Sequence, residues 1–275
     1  ALLRAHGLHP RKKLGQNFLT DPVALERIVA AADLLTSDLV VEVGAGAGTL
    51  TRLLAEQAGR VLALELDDQL VALLREELAG LHNVEIVRGD VLRFSSPELS
   101  HHGYKVVGNL PYYITSAVLR RFLGETPRPR LMVVTVQREV AERIAAKPGK
   151  MNLLAVSVQF YGRPRTVARI PAGAFYPAPK VDSAVVRIDV GEQPLVSLGE
   201  GIDEMGFFRV VRAGFSQKRK KLRNSLSAGL RFAPAEAAEL LEQAGVDPGR
   251  RAETLSLQEW ARVTQTLYQQ GHVGQ

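Results

Sequence analysis

The chain has 275 residues, of which 46% are hydrophobic and 6% aromatic, a composition typical of a globular protein rather than a disordered or fibrous one. It contains no cysteine, which excludes thiolate nucleophiles, cysteine-ligated zinc and methylation of cytosine C5 through a cysteine adduct. No apolar run approaches the roughly 18 residues that cross a bilayer, and residues 1–13 lack a signal-peptide core, so we expect a cytoplasmic protein without a membrane anchor.

The net charge of +6 is concentrated locally. Eight basic residues and no acidic one lie between Arg209 and Arg231, so the rest of the chain is net acidic. A second basic stretch precedes the first acid, Asp21. Such stretches predict contact with a polyanion, either nucleic acid or an anionic membrane surface. The expected contacts are Arg11, Lys12, Lys13, Arg212, Lys218, Arg219, Lys220, Lys221 and Arg223.

From residue 38 to about residue 190, β-branched apolar runs alternate with helical patterns. This alternation predicts an α/β domain with a largely parallel sheet. Between Asp67 and Ala79, leucines recur at helical spacing and predict a crossover helix. The predicted strands are Leu39–Val43, Val61–Leu66, Val84–Val87, Tyr104–Val107, Leu131–Val136, Ala155–Phe160 and Ala184–Val190.

The strand signals stop after Gly191, and apolar residues continue at helix-like spacing. Because single cores stop growing near roughly 250 residues, we expect two domains, residues 1–190 and a small all-helical domain over residues 191–275. Its later helices have clear start and stop signals. These signals are Pro234 in a first turn, Gly245 as a stop, and a capping box over Ser256–Glu259.

A glycine-rich turn follows the first predicted strand, where Gly44, Ala45 and Gly46 lead into a helix from Thr49. A dinucleotide fingerprint requires a third glycine at the position of Thr49, so the match to a pyrophosphate cradle is imperfect. S-adenosylmethionine (SAM) has no phosphate, and its methionine part needs only the close backbone approach that glycine permits. Gly44 and Gly46 are therefore candidate cofactor contacts. The alternative is a tight turn without a ligand.

Two acids end the next two predicted strands. Glu65 lies 21 residues after Gly44, where a carboxylate can accept hydrogen bonds from both ribose hydroxyls of an adenosine. Asp90 is positioned to accept from the adenine amine of SAM. Each acid alone is more typical of a surface carboxylate or a helix cap. Together they predict an adenosine pocket at the switch point of the sheet.

The fourth predicted strand ends in the tetrad Asn109, Leu110, Pro111 and Tyr112. The N6 amine of adenine is a poor nucleophile because its lone pair is delocalised into the ring. The side-chain carbonyl of Asn109 and a backbone carbonyl, that of Leu110, can accept both N6 hydrogens and localise the lone pair. Pro111 fixes the backbone, and Tyr112 can stack on a base that has left its helix. The alternative is an Asn-X-Pro turn with core tyrosines.

Several stretches closely resemble the ribosomal RNA adenine dimethyltransferase family over nearly the whole chain. Phe215–Lys220 and Arg251–Leu255 resemble only its bacterial KsgA type, which dimethylates two adjacent adenines near the 3′ end of 16S ribosomal RNA. The wider resemblance lies in Gln16–Leu19, Glu42–Leu50, Asn109–Thr115, Gln137–Ile144, Phe175–Ser183 and Phe215–Leu226.

The resemblance implies a Rossmann-like class I methyltransferase domain that binds SAM and needs no metal. It implies that Asn17 and Leu19, on a segment covering the cofactor, join Gly44, Gly46, Glu65, Asp90 and Asn109 in binding SAM, and that Phe175 is a second wall for the flipped adenine. The implied partner is small-subunit ribosomal RNA within a precursor 30S particle, bound by a monomer through the basic stretches. From the residues alone, Phe175 is instead a core aromatic and Asn17 a helix cap.

The six histidines are scattered without metal-ligand spacing, so we expect no metal site. Two other functions are compatible with the motifs. A noncatalytic RNA-binding assembly or transcription factor on the same fold would use the basic tail, and a DNA adenine-N6 methyltransferase would use the Asn-X-Pro-Tyr motif. The histidines are His6, His9, His82, His101, His102 and His272.

Overall fold

The computed structural model of the chain describes residues 2–100 and 103–272, so His101 and His102 lie outside it. Among these residues, no helix combines the length and apolar character required to cross a membrane. Internal contacts divide the chain into two compact units. The first extends to Glu142 and resumes over Arg163–Glu192, and the second comprises Arg143–Gly162 and the chain from Gln193 onward.

A seven-stranded sheet forms the centre of the first unit. In spatial order its strands are β4 (Val84–Arg88), β3 (Arg60–Glu65), β2 (Leu39–Val43), β5 (Lys105–Asn109), β6 (Leu131–Gln137), β9 (Ser183–Val190) and β7 (Gly162–Ile170). In this spatial order, each pair of neighbouring strands from β4 through β3, β2 and β5 to β6 is parallel, and β9 is antiparallel to β6. From β2 the chain moves outward to β4 and then returns to β5 on the other side of β2. The switch point of this Rossmann-like sheet therefore lies between β2 and β5.

Helices cover the sheet, and local sequence signals determine where they begin and which face they bury. In α2 (Pro22–Ala32), Pro22 occupies the first turn and the carboxylate of Asp21 accepts from the backbone N–H of Ala24 at 2.8 Å. In α4 (Asp68–Glu77), the leucines at helical spacing are buried, which confirms the predicted crossover helix. The remaining helices that begin in this unit are α1 (Leu2–Ala5), α3 (Thr49–Ala55), α5 (Thr115–Gly124) and α6 (Arg138–Ile144).

The N-terminal part of the chain contributes one strand of a two-stranded sheet that the sequence did not predict. Strand β1 (Phe18–Leu19) pairs antiparallel with β8 (Phe175–Tyr176), so that Phe18 lies opposite Tyr176 and Leu19 opposite Phe175. Leu19 and Phe175 are both buried in one apolar cluster. This pairing ties the segment before α2 to the segment before β9.

Six of the seven predicted strands are confirmed to within two residues, and the strand predicted over Ala155–Phe160 is wrong. That segment is part of a helix, α7 (Leu153–Gln159), and the side chain of Asn152 caps it by accepting from the N–H of Ala155 at 3.1 Å. A short apolar run does not distinguish a buried strand from a buried helix by periodicity. Strand β7, which follows α7 in the chain, was not predicted because it is an edge strand that contains arginines and is not an apolar run.

The second unit consists of helices. Helix α7 packs on α8 (Glu204–Phe215), with the rings of Phe160 and Phe207 stacked at 4.6 Å. This packing groups Arg143–Gly162 with the C-terminal helices, whereas the expected boundary after residue 190 left that segment in the first domain. The other helices are α9 (Leu222–Leu230), α10 (Pro234–Gln243) and α11 (Leu257–Gln269).

The predicted punctuation of the C-terminal helices is confirmed. Pro234 is in the first turn of α10, Gly245 has the left-handed φ of 70° after its end, and Ser256 and Glu259 form the capping box of α11. The helix-like spacing from residue 207 to residue 230 belongs to two helices. The basic run between them, Lys218–Lys221, lies in the turn between α8 and α9 and not on a helix face.

Gly108 on β5 is required by the close approach of β2. A Cβ at this position would lie 2.5 Å from the carbonyl oxygen of Val43. We predict that Gly108→Ala lowers the free energy of unfolding by about 2 kcal/mol, because the rigid strand must shift to admit one carbon. Chemical denaturation measures this change. Gly80→Ala is the control, since its Cβ meets no heavy atom within 4 Å; equal stability of the two variants would contradict the prediction.

Candidate functional site

A cavity opens at the carboxyl ends of β2, β3, β4 and β5. Parallel strands end at the same edge of a sheet, so the turns after these strands converge there, and the switch point is the usual ligand position in such folds. The cavity is lined by the glycine turn after β2, by Glu65 and Leu66 at the end of β3, by residues 89–92 after β4, and by the tetrad that begins with the last residue of β5. The segment before α2 also lines it.

The glycine turn is held in a conformation that favours glycine. Gly44 has φ of 74° and Gly46 has φ of 61°, both in the left-handed region. The backbone N–H groups of Gly44 and Ala45 both donate to the carbonyl of Leu64 at 3.0 Å. A Cβ on Gly46 would lie 3.2 Å from the ring of Phe18. Gly46 thus allows both the turn and the close approach of the N-terminal segment.

The carboxylate of Glu65 joins two turns of the cavity wall. Its Oε2 accepts from the N–H of Gly46 at 2.9 Å, and its Oε1 accepts from the N–H groups of Leu66 and Asp67 at 2.8 and 2.9 Å. Burial raises the pKa of Glu65, and these three hydrogen bonds oppose the rise. A carboxylate has about four acceptor positions, so a hydroxyl donor can still be accommodated.

Asp90 follows β4 and lines the same cavity. Its Oδ1 accepts from the N–H of Leu92 at 2.9 Å, and its Oδ2 has no recorded partner among the described residues. The side chain is partly exposed. An amine donor in the cavity is therefore a suitable partner for Oδ2.

Glu42, the fourth residue of β2, is a buried acid beneath the cavity. It is 1% exposed, and its Oε2 has no hydrogen-bond partner among the described residues. Burial raises the pKa of Glu42 to about 7, and the charge of Glu65 acts in the same direction. A buried carboxylate with an unused oxygen is suited to a positively charged ligand.

The tetrad after β5 is fixed by contacts at each of its first three residues. The side-chain amide Nδ2 of Asn109 donates to the backbone carbonyl of Asn17 at 2.8 Å. The N–H of Leu110 donates to the carbonyl of Thr135 at 3.1 Å, and the Leu110 side chain is 1% exposed. The carbonyl of Pro111 accepts from the N–H of Ile114 at 3.1 Å. The Oδ1 of Asn109 thus remains as an acceptor.

Tyr112 is oriented by a contact that the sequence did not reveal. Its hydroxyl forms a 2.7 Å hydrogen bond with the hydroxyl of Ser183, a fully buried residue at the start of β9. Burial raises the pKa of Tyr112, so the hydroxyl remains protonated at neutral pH. The stretch that contains Ser183 carries the family resemblance, but only the fold brings this hydroxyl, 71 positions away, to Tyr112.

The structure gathers all but one of the predicted catalytic and cofactor-binding residues around this cavity. The exception is Phe175, which is 4% exposed, does not line the cavity, and packs in the apolar cluster that contains Leu19. In this structure Phe175 is the core aromatic that its residue type alone indicates. The predicted residues that do line the cavity are Asn17, Leu19, Gly44, Gly46, Glu65, Asp90, Asn109, Leu110, Pro111 and Tyr112.

The segment from Arg11 to Leu19, which we call the strap, is held against the turn after β3. Its Arg11 guanidinium pairs with Asp67 at 3.1 Å and donates to the side-chain oxygen of Gln69 at 2.7 Å. The expected contact of Arg11 with a polyanion stays a prediction, and in this structure its guanidinium pairs with an acid. Asn17 does not cap a helix either, since the cap of α2 is Asp21.

The other predicted polyanion contacts remain available. Lys12 and Lys13 on the strap are exposed, as are Arg212 and all of Lys218–Lys221, and Arg223 is half-buried. Within the described part of the chain, no ion pair is recorded for any of these cations. The turn between α8 and α9 therefore presents a concentrated positive charge that is not neutralised internally.

The described residues contain no group of three or more histidine, aspartate or glutamate side chains that could hold a metal ion. Two of the histidines are engaged with acids, since His6 lies 3.8 Å from Glu76 and His272 lies 3.2 Å from Glu236.

Comparison with known proteins extends over nearly the whole chain. Two curated relatives are named ribosomal RNA small subunit methyltransferase A. The one from Dehalococcoides mccartyi (strain CBDB1) is 48% identical, with 95% of this chain and 90% of the relative covered. The one from Pelotomaculum thermopropionicum is 45% identical, with 98% and 95% covered.

Solved structures agree with this similarity. The 23S rRNA methyltransferase ErmE is 32% identical with a TM-score of 0.74, covering 92% of this chain and 100% of that one. A dimethyladenosine transferase from Plasmodium falciparum is 23% identical and has the same fold, with a TM-score of 0.82 and coverage of 94% and 100%. The sequence profile of the family described as ribosomal RNA adenine dimethylase matches residues 7–269. The chain belongs to the ribosomal RNA adenine dimethylase family.

Proposed function

We propose that the chain transfers methyl groups from SAM to the N6 amines of two adjacent adenines near the 3′ end of small-subunit ribosomal RNA, within a precursor of the small ribosomal subunit in the cytoplasm. The observation that carries this proposal is the held carboxamide of Asn109, whose Nδ2 is engaged with Asn17 and whose Oδ1 is left to accept. The small-subunit substrate is supported by the names of the relatives that are 45% and 48% identical.

The residues around the cavity fit SAM. The unpartnered buried oxygen of Glu42 suits its positive charge, and Glu65 and Asp90 keep acceptor capacity for ribose hydroxyls and the adenine amine. Gly44 and Gly46 allow the close approach of its methionine part. When bound, the cofactor supplies an electrophilic methyl group.

The tetrad performs the chemistry on the substrate side. We assign the two N6 hydrogens to Oδ1 of Asn109 and to the backbone carbonyl of Leu110, since the carbonyl of Pro111 has one of its two acceptor positions filled by the N–H of Ile114. These acceptors bind best as the amine becomes positive, so they stabilise the transition state more than the ground state. Tyr112, held by Ser183, provides a face on which the flipped base stacks.

RNA contact is assigned to Lys12, Lys13, Arg212, Lys218–Lys221 and Arg223. Their support is exposure, which is partial for Arg223, and the lack of an ion pair with an acid within the described chain. Phosphate neutralisation by such cations supplies most of the sequence-independent affinity for RNA. Phe175 is left out of the stacking site because it is buried in the apolar cluster.

Asn109→Ala tests the chemistry. We expect methyl transfer to fall by at least about 100-fold, since one preorganised group opposite the developing charge contributes on that scale. The assay incubates labelled SAM with undermethylated small subunits and maps the modified nucleotides. Asn109→Asp, which retains an acceptor oxygen but not the donor to Asn17, is expected to retain more activity than Asn109→Ala.

Normal transfer by Asn109→Ala would refute the mechanism. Label in large-subunit RNA, or transfer to duplex DNA and not to RNA, would refute the substrate. Binding of subunit precursors without any affinity for SAM would instead support a noncatalytic assembly factor.

The pKa of Glu42 predicts a pH-dependent stability. The folded protein keeps this proton up to about pH 7, whereas the unfolded chain releases it near 4.5. Stability therefore falls as pH rises between these values, by about 3 kcal/mol for this group, and is level above them. Saturating SAM should reduce the fall, because its positive charge favours the ionised carboxylate. Urea unfolding with and without SAM measures both effects, and an unchanged slope in Glu42→Gln would contradict the assignment.

Replacing Lys218, Arg219, Lys220 and Lys221 by Gln tests the basic turn. We expect the slope of log binding constant against log salt concentration for RNA to decrease in magnitude by roughly 3, as expected for four lost contacts to a single strand. SAM affinity should not change. Arg60→Gln with Arg88→Gln is the matched control, because these arginines already pair with Glu85 and Asp68. An equal change in the control would contradict the assignment.

A further inference from the structure

Asp67 makes more contacts than its position at the start of α4 requires. Its Oδ1 accepts from the N–H of Gln69 at 3.0 Å, which is the ordinary cap of a helix. The same oxygen pairs with Arg11 at 3.1 Å, and Oδ2 accepts from the side-chain amide of Gln16 at 3.1 Å. The Asp67 side chain is 3% exposed. Two of its three partners thus belong to the strap.

The contacts on the strap side form a closed arrangement. The side-chain oxygen of Gln16 accepts from the N–H of Arg11 at 2.7 Å while its amide donates to Asp67. Arg11 also donates to Gln69 at 2.7 Å. Because Asp67 is buried, its charge-assisted bonds are less screened by solvent than those of a surface pair. Asp67 therefore fastens the beginning of the strap to the turn after β3.

The other end of the strap contacts the tetrad. The carbonyl of Asn17 accepts from Nδ2 of Asn109. The side-chain amide of Asn17 donates to the carbonyl of Gly15 at 3.1 Å, a contact within the strap. A carboxamide is planar with its nitrogen and oxygen on opposite sides, so fixing Nδ2 also fixes Oδ1. A Cβ on Gly15 would lie 3.1 Å from the ring of Tyr113, which shows how closely the strap approaches this end of the sheet.

We propose that Asp67 is a positioning residue for methyl transfer: through Arg11 and Gln16 it holds the strap so that the carbonyl of Asn17 orients the carboxamide of Asn109. The proposal rests on the proposed function, in which Oδ1 of Asn109 accepts an N6 hydrogen. Asp67 itself touches neither the methyl group nor the adenine. Its effect reaches the reacting amine through the strap.

Asp67→Ser separates this role from that of a helix cap. Serine caps helices about as well as aspartate, so α4 is retained, but its single short hydroxyl cannot engage Arg11 and Gln16 as well. We expect kcat to fall by about tenfold or more with the KM for RNA little changed, because misplacing a reacting group lowers the rate rather than the affinity. Arg11→Ala with Gln16→Ala should reproduce this loss.

Adding Asp67→Ser to that double variant should cause little further loss of kcat, because Asp67, Arg11 and Gln16 act through the same set of contacts. Asp21→Ser is the matched control. It makes the same replacement at the cap of α2, where Asp21 accepts from Ala24 and no ion pair is recorded among the described residues. Its kcat should equal that of the unmodified protein.

Hydrogen exchange of the strap provides a readout that does not depend on activity. The backbone N–H groups of Arg11, Leu14 and Gly15 are hydrogen-bonded within the strap. In Asp67→Ser they should exchange about tenfold faster or more, as expected when a local opening becomes easier. The N–H groups of α4 should exchange at the same rate as in the unmodified protein.

Faster strap exchange together with a lower kcat would support the proposal. Unchanged strap exchange would overturn it, as would a normal kcat despite faster exchange, or additive losses in the combined variant. If the unmodified protein transferred no methyl group, the proposed function would fail and the positioning role with it, whereas the exchange measurement would still decide whether Asp67 holds the strap.

Discussion

The site depends on one buried carboxylate, that of Glu65. It accepts from three backbone N–H groups, one in the glycine turn after β2 and two in the turn after β3. A buried charge is costly unless it is hydrogen-bonded, and these donors supply that compensation while fixing the two turns relative to each other. One of the donors is the N–H of Asp67, so the residue that fastens the strap is itself placed by Glu65.

This arrangement concentrates acids around a cavity that is expected to take a cation. Burial raises the pKa of both Glu42 and Glu65. A buried negative charge is costly without a partner, so a positive ligand that pairs with it gains affinity. We therefore expect these two acids to favour a cofactor of positive charge.

The sequence predicted the parts of this structure that depend on local patterns. Apolar runs identified six strands, and the turn glycines and the acids at strand ends identified the cavity. The strand prediction at residues 155–160 was wrong because a short apolar run looks the same in sequence whether it is buried in a helix or in a strand. The contacts of Asn109 with Asn17 and of Tyr112 with Ser183 join residues 92 and 71 positions apart. No periodicity encodes such pairs, and Phe175 shows that even a recognised motif residue can be buried elsewhere.

The location of the strap explains how a widely used fold acquires one chemistry. Fold does not determine function, which resides in sites built upon it. The sheet places Asn109 at the cavity, but an asparagine side chain can turn either its nitrogen or its oxygen inward. That choice is made by the carbonyl of Asn17, and Asn17 is held by a segment fastened at Asp67. The sheet therefore provides the position of the acceptor, while the segment preceding the sheet in sequence provides its orientation.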